Sequence, residues 1–317
     1  MKRRLGVIAL VMLSILTKMS CSVFELRCGN CRLGDAYQDD IALALLKAAV
    51  DGDAAKVKKL VSEGANPNYL EPGKIPMLIW TICADSFEGY KALLESGADP
   101  NLGGTGDGLS EIKGYGEPIT LYRYKWHGKT PLISLRKGMS AMVLSSALSN
   151  PEYLRLAIKY GGDLNAKKGE RGYDRPLLLA ASSVQFDNIK ILIEAGADIN
   201  IHDEKFLGNT APELVIRSYA RYDIAIWLLE KGYSYDLYNV GVTAEIRKIN
   251  PSEQQKNKEK LIDMLIAKGI KFPDPDGRIA KGLKTRQIPE SDVMDIVYGR
   301  KSIYQYPKRP GMELVDP

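Results

Sequence analysis

A short signature, Gly-Ala-Asp-x-Asn, returns along this chain, each time where an amphipathic helical pattern stops. It reads Gly64-Ala65-Asn66-Pro67-Asn68, Gly97-Ala98-Asp99-Pro100-Asn101, Gly161-Gly162-Asp163-Leu164-Asn165 and Gly196-Ala197-Asp198-Ile199-Asn200, with weaker copies from Gly232 and Gly269. The first glycines stand 33, 64, 35, 36 and 37 residues apart, and the 64 is close to two periods with one glycine missing. A period of this length marks a stack of helical units, each of which buries its apolar face only against its neighbours. Such a stack has no central pocket by construction. It offers a long surface that suits another macromolecule.

The stretches between the glycines carry helix pairs. Ala48-Ala49-Val50-Asp51-Gly52-Asp53 reads as a turn between two helices, and Val57, Leu60 and Val61 form the stripe of the second. The next unit opens with Ile75-Pro76-Met77-Leu78, has Trp80 where a small residue is usual, and continues with Tyr90, Leu93 and Leu94. Thr130-Pro131-Leu132 opens a third helix pair over 129–165, with proline setting φ for a first helical turn. Arg175-Pro176-Leu177-Leu178-Leu179-Ala180-Ala181, with Ile189, Ile191, Leu192 and Ile193, is the clearest copy. Asn209-Thr210-Ala211-Pro212-Glu213-Leu214, with Ile224, Ile226, Trp227, Leu228 and Leu229, is a fifth. The sixth ends with Leu261, Ile262, Met264, Leu265 and Ile266. Its polar first half, around Asn250-Pro251-Ser252-Glu253, suits a terminal cap.

Together these residues resemble the ankyrin-repeat family, roughly over 41–272. The resemblance implies an all-α solenoid of about five to six irregular repeats, right-handed stacks of antiparallel helix pairs with a long insertion. One departure is consistent: the histidine of the family's Thr-Pro-Leu-His start is replaced by Leu78, Ile133 and Leu178. A less regular, more apolar stack follows.

Residues 102–128 break the period with seven glycines and then Tyr115, Tyr122, Tyr124 and Trp126. Loops of that length inside a compact domain are usually put to use. Glycine supplies bend, and the aromatics supply contact area at low entropic cost. With Arg171, Tyr173 and Phe206 in the other inter-helix loops, these are the expected partner-binding residues. Residues 273–317 leave the pattern: a Pro-Asp-Pro-Asp-Gly turn, a short helix over 291–298, then an extended tail.

The N-terminus reads as an export signal over 1–20, with Lys2-Arg3-Arg4 followed by an apolar run from Leu5 to Leu16. That run is 12 residues, too short to span a bilayer comfortably. Ser20-Cys21 fits the end of a lipobox, although Lys18 sits where an aliphatic residue is expected. Cleavage after Ser22 is the competing reading. Acylation of Cys21 would hold the protein on a membrane surface, and Met19 offers an internal start that would leave a cytoplasmic form. A polar arm occupies 21–40, and its Cys28-Gly29-Asn30-Cys31 reads as a local disulfide or two idle thiols, with Cys83 a small core residue.

The formal charge of +5 is concentrated at that N-terminus: past residue 20, 40 basic residues face 39 acidic ones. A near-neutral chain lacks the field that attracts nucleic acid. No metal, cofactor or catalytic motif stands out. His127 and His202 lack ligand-spaced neighbours, and His127-Gly128-Lys129-Thr130 imitates a P-loop end but has Arg123 where the glycine belongs. The expected function is non-enzymatic protein binding in the bacterial periplasm. The layout is similar to ankyrin immunity proteins that neutralise type VI secretion phospholipase effectors, which implies a phospholipase toxin as partner. A periplasmic scaffold or chaperone and a secreted effector binding host proteins are the alternatives.

Overall fold

A computed structural model of the chain describes residues 26–28, 31–104, 119–125, 128–135, 138–167, 174–203, 209–247 and 254–312. The described residues are mostly helical: fourteen α-helices and two small antiparallel strand pairs. The chain divides into two compact units, one ending at Ala141 and one beginning at Met142.

In the first unit, β1 (Arg27–Cys28) pairs with β2 (Cys31–Arg32) ahead of two helix pairs. The pairs are α1 (Asp40–Val50) with α2 (Ala54–Ser62), and α3 (Met77–Ala84) with α4 (Phe87–Glu95). The acids at the helix starts act as caps: Asp39 accepts from the Ala42 N–H at 2.7 Å and Asp53 from the Lys56 N–H at 2.9 Å. First helix packs on first, α1 on α3, and second on second, α2 on α4. The approach is close enough that a Cβ on Gly89 would lie 1.7 Å from the Ala49 carbonyl oxygen. The described part of the arm is folded too. Tyr37 is buried and donates to the Ile75 carbonyl at 2.6 Å, and Glu71 accepts from the Gln38 N–H at 2.7 Å.

The unit closes with a hairpin, β3 (Ile119–Lys125) on β4 (Gly128–Leu135). Thr130-Pro131-Leu132 therefore lies in a strand and does not start a helix. The run Ile119-Thr120-Leu121-Tyr122 favours extended backbone, and its pairing outweighs a local proline signal. Between the pairs Leu121↔Ile133 and Tyr122↔Pro131 the register skips Leu132, so the proline sits at a bulge, where its missing N–H is tolerated.

The second unit continues with α5 (Ala141–Ser145), α6 (Glu152–Lys159), α7 (Pro176–Ser182), α8 (Phe186–Glu194), α9 (Ala211–Tyr219), α10 (Tyr222–Glu230), α11 (Leu237–Ile246) and α12 (Gln254–Ala267). Here α7, α9 and α11 pack in succession and α10 packs on α12. The 273–312 segment is ordered onto this end. It adds α13 (Arg278–Thr285), which the sequence pattern did not suggest, and α14 (Val293–Tyr298). Ile279, Ile296, Val297 and Ile303 are buried in the same core as Leu261, Ile262 and Leu265, so the sixth copy is covered by the extension.

The repeated signature has a shared geometry. Gly64, Gly97, Gly161, Gly196, Gly232 and Gly269 have φ between 88° and 105°. Each donates to the carbonyl three residues back at 2.8–3.2 Å, and the next residue donates to the carbonyl five before it at 2.8–3.0 Å. That pair of bonds is a Schellman stop, satisfying carbonyls the helix leaves unpaired. A Cβ at any of the six would meet nothing within 4 Å, so glycine is required by the left-handed backbone and not by space. The rest of the signature builds outward. Asp99, Asp163 and Asp198 each accept from the N–H two residues on, at 2.8–2.9 Å, and Asn66 does the same. The closing asparagine then reaches the following copy. Asn68 accepts from the Asp99 N–H at 2.6 Å and donates to the Gly97 carbonyl at 2.9 Å. Asn165 accepts from the Asp198 N–H at 2.9 Å. Asn200 accepts from the Ser234 and Tyr235 N–H groups at 2.9 and 3.1 Å.

Two outcomes follow from this backbone. Asn200→Ala strips two loop N–H groups of their acceptor and should lower stability by about 1–2 kcal/mol in urea unfolding. The turns inside the pairs also hold left-handed residues, Asp85, Val184 and Ala220, where α1–α2 has Gly52. Ala220→Gly should raise stability in urea unfolding by roughly 0.5–1 kcal/mol, because alanine is disfavoured at its φ of 53°.

Candidate partner-binding surface

Two of the loops that carry expected contact residues are bonded across their bases. The segment with Tyr115, Tyr122, Tyr124 and Trp126 is closed at its foot by a bridge between Gly103 and Ser140 and by the Gly138 N–H donating to the Gly104 carbonyl at 3.3 Å. Tyr122 and Tyr124 lie two positions apart on β3, opposite Pro131 and Lys129. Tyr115 and Trp126 are outside the described residues, as are Arg171, Tyr173, Phe206, His127 and Cys21. The loop with Arg171 and Tyr173 starts after buried Ala166 and ends at buried Asp174 and Arg175. The loop with Phe206 is clamped by the His202–Thr210 bridge and by Asn209 donating to Asp203 at 3.0 Å.

Below that last clamp, Thr210 donates to the Glu213 carboxylate at 2.5 Å, and both side chains are buried. Burial pushes the Glu213 carboxyl above the usual carboxylate range, and the Thr210 hydrogen bond pulls against it. His202 lies flat on Tyr235, with ring centroids 4.0 Å apart and planes 7° apart. A second aromatic group sits on the second helices. Phe186 of α8 meets Trp227 of α10 edge to face at 5.6 Å, with Lys190 4.1 Å over Phe186 and Lys231 5.6 Å over Trp227. In the sequence Trp227 was one apolar residue in a helical stripe; its half-buried position beside two cations belongs to the folded arrangement.

No family model matches the chain. It is similar to BRCA1-associated RING domain protein 1 of Caenorhabditis elegans, 29% identical over 139 residues. The match takes in 42% of this chain and spans 19% of that relative's length. Among the described residues no helix is long and apolar enough to cross a membrane, and no group of three His, Cys, Asp or Glu could hold a metal ion.

The disulfide differs from the local loop expected of Cys28 and Cys31. Cys28 is bonded to Cys83 of α3, 55 residues away, and Cys31 is a free thiol. Cys28 and Cys31 do face one another across the β1–β2 pair, but Cys28 is fully buried, as is Cys83. The Cα atoms of the bonded pair are 5.5 Å apart, ordinary disulfide spacing. Burial pushes the Cys31 thiol up, and the nearby Lys74 ammonium offsets part of that. The bond ties the arm to the first helix pairs. Cys83→Ser should cost about 4 kcal/mol of stability by the loop-entropy relation for this separation, while Cys31→Ser should change it little. Non-reducing peptide mapping should return one linked peptide holding Cys28 and Cys83, with Cys31 open to alkylation in the unfolded chain.

Proposed function

We propose that the chain is an exported, non-enzymatic, ankyrin-type repeat protein that binds another protein through its loops. The observation that carries this reading is the six-fold use of one helix stop, with asparagines bonding one loop to the next. Within each unit, loops tied to their neighbours hold the residues around them in place, which lowers the ordering cost of binding. The disulfide between Cys28 and Cys83 favours an oxidising compartment, in keeping with the export signal.

Within this reading the partner is a phospholipase toxin that acts from the periplasm, and the protein is its immunity partner. The lipid anchor at Cys21 keeps the binder where the toxin works. Contact energy concentrates in Tyr124 and Trp126, with Tyr115, Tyr122, Arg171, Tyr173 and Phe206 around them, since interfaces lean on aromatics and arginine.

Trp126→Ala or Tyr124→Ala should weaken capture of the phospholipase by about thirtyfold, on the order of 2 kcal/mol, with the thermal midpoint nearly unchanged. Added mature protein should suppress phospholipid hydrolysis by that toxin in proportion to complex formed. Unchanged affinity in both variants, or hydrolysis indifferent to the protein, would overturn the reading.

A further inference from the structure

The last helices border an open cavity of about 440 Å³, lined by α11, α12, α13, α14 and the turns after it. That size falls within the range of small-molecule sites. Its lining is unequal in charge. Arg247, Lys258 and Arg278 face it, and among the described residues neither guanidinium has a carboxylate within ion-pair distance. Arg300 and Lys301 also border it, but Glu259, Asp292 and Asp295 hold them. Among the described residues Glu245 is the acid in the lining. Among the described residues, three cations without a salt bridge against one carboxylate leave an excess of two positive charges.

Lys258 is the centre of this excess. Its side chain is 2% exposed, at the C-terminal end of α11. The ammonium meets the carbonyls of Glu245 and Arg247, each at 3.3 Å, a long reach for a charged donor. An ammonium has three N–H donors, and two carbonyls engage two of them. Gly299 leaves room beside it: a Cβ there would stand 3.3 Å from Nζ. Ile279, Ile296 and Ile303 supply apolar wall.

We infer that this cavity binds a phosphate monoester with a small organic body. The dianion matches the two excess charges, guanidinium and ammonium donors suit its oxygens, and the isoleucines suit the body. The lining comes from the last helices and the turns after them, so the inference does not rest on the partner-binding reading. Burial lowers the Lys258 pKa to about 8, against the opposing pull of Glu245 and with a smaller contribution from Arg278. The groups around it are Glu245 and Arg247 from the α11 end, Arg278 from α13, and Gly299, Arg300 and Lys301 after α14. An anion placed there favours the charged amine, so binding takes up protons near that pH and weakens as pH rises through it.

Isothermal titration of the intact protein with glycerol 3-phosphate and with inorganic phosphate tests this, at constant ionic strength. One site is expected, with a heat that depends on the ionisation enthalpy of the buffer near pH 8. Arg278→Gln and Arg247→Gln, neither side chain being held in an ion pair, should each weaken binding on the order of tenfold. Lys258→Met should abolish the buffer dependence. Vesicles of phosphatidylcholine with and without phosphatidic acid separate the sources. Retention on phosphatidic acid that is lost in Arg278→Gln points to a lipid headgroup, and binding of the free ester without retention points to a soluble ligand. No binding of any phosphate probe, or binding indifferent to Arg278→Gln and Arg247→Gln, would overturn the inference.

Discussion

The side-chain amide of one asparagine, reaching the backbone of the following loop, is the interaction on which the helix packing depends. Asn68, Asn165 and Asn200 each accept from N–H groups about one period further along. Those N–H groups lie in loops, where neither helix nor sheet pairs them, so the amide supplies an acceptor that water would otherwise provide. The asparagine arrives in place because the glycine before it reverses the chain and the aspartate between them holds the turn. Each residue of the signature thus has a separate task, and the tasks are sequential: stop the helix, fix the turn, hold the next copy. The packing of α1 on α3 and α7 on α9 on α11 follows from loops kept at a constant offset.

This division explains what could be read in advance. The glycine stops are local, set by φ and by bonds within six residues, and all six were legible, including the weak copies at Gly232 and Gly269. The helix pairs followed from apolar spacing. What escaped depends on distant partners. Thr130-Pro131-Leu132 has the same letters at a helix start as in a strand, and only pairing with Leu121 to Arg123 decides between them. Cys28 had a nearer candidate in Cys31, but α3 brings Cys83 against it from 55 residues away. Lys258 stands in Gln-Gln-Lys-Asn-Lys-Glu-Lys, which reads as a solvated face. Its burial arises because the extension beyond 273 folds back over α12. Of the candidate contact residues, only the backbone of Tyr122 and Tyr124 lies among the described residues, and both positions are on the hairpin strand.

The same features separate scaffold from function. The core is apolar and its turns are hydrogen-bonded, so it contributes stiffness. The loops at 105–118 and 204–208 leave from bases closed by the Gly103–Ser140 and His202–Thr210 bridges. The C-terminal extension is different in kind. It buries isoleucines of its own against the last helices and closes a basic cavity there, a concave feature that the helix stack alone does not offer.

The central claim is that loop-to-loop asparagine bonds hold the repeats in register. Native-state hydrogen exchange on the amides of Asp99, Asp198, Ser234 and Tyr235 tests it most directly. Asp99, Asp198 and Ser234 are solvent-exposed loop positions. The account predicts that their amides exchange nearly as slowly as those of buried helix positions such as Leu192 and Leu228, through the same large-scale opening. Exchange at the rate of an unstructured chain, with the neighbouring helices still protected, would contradict it.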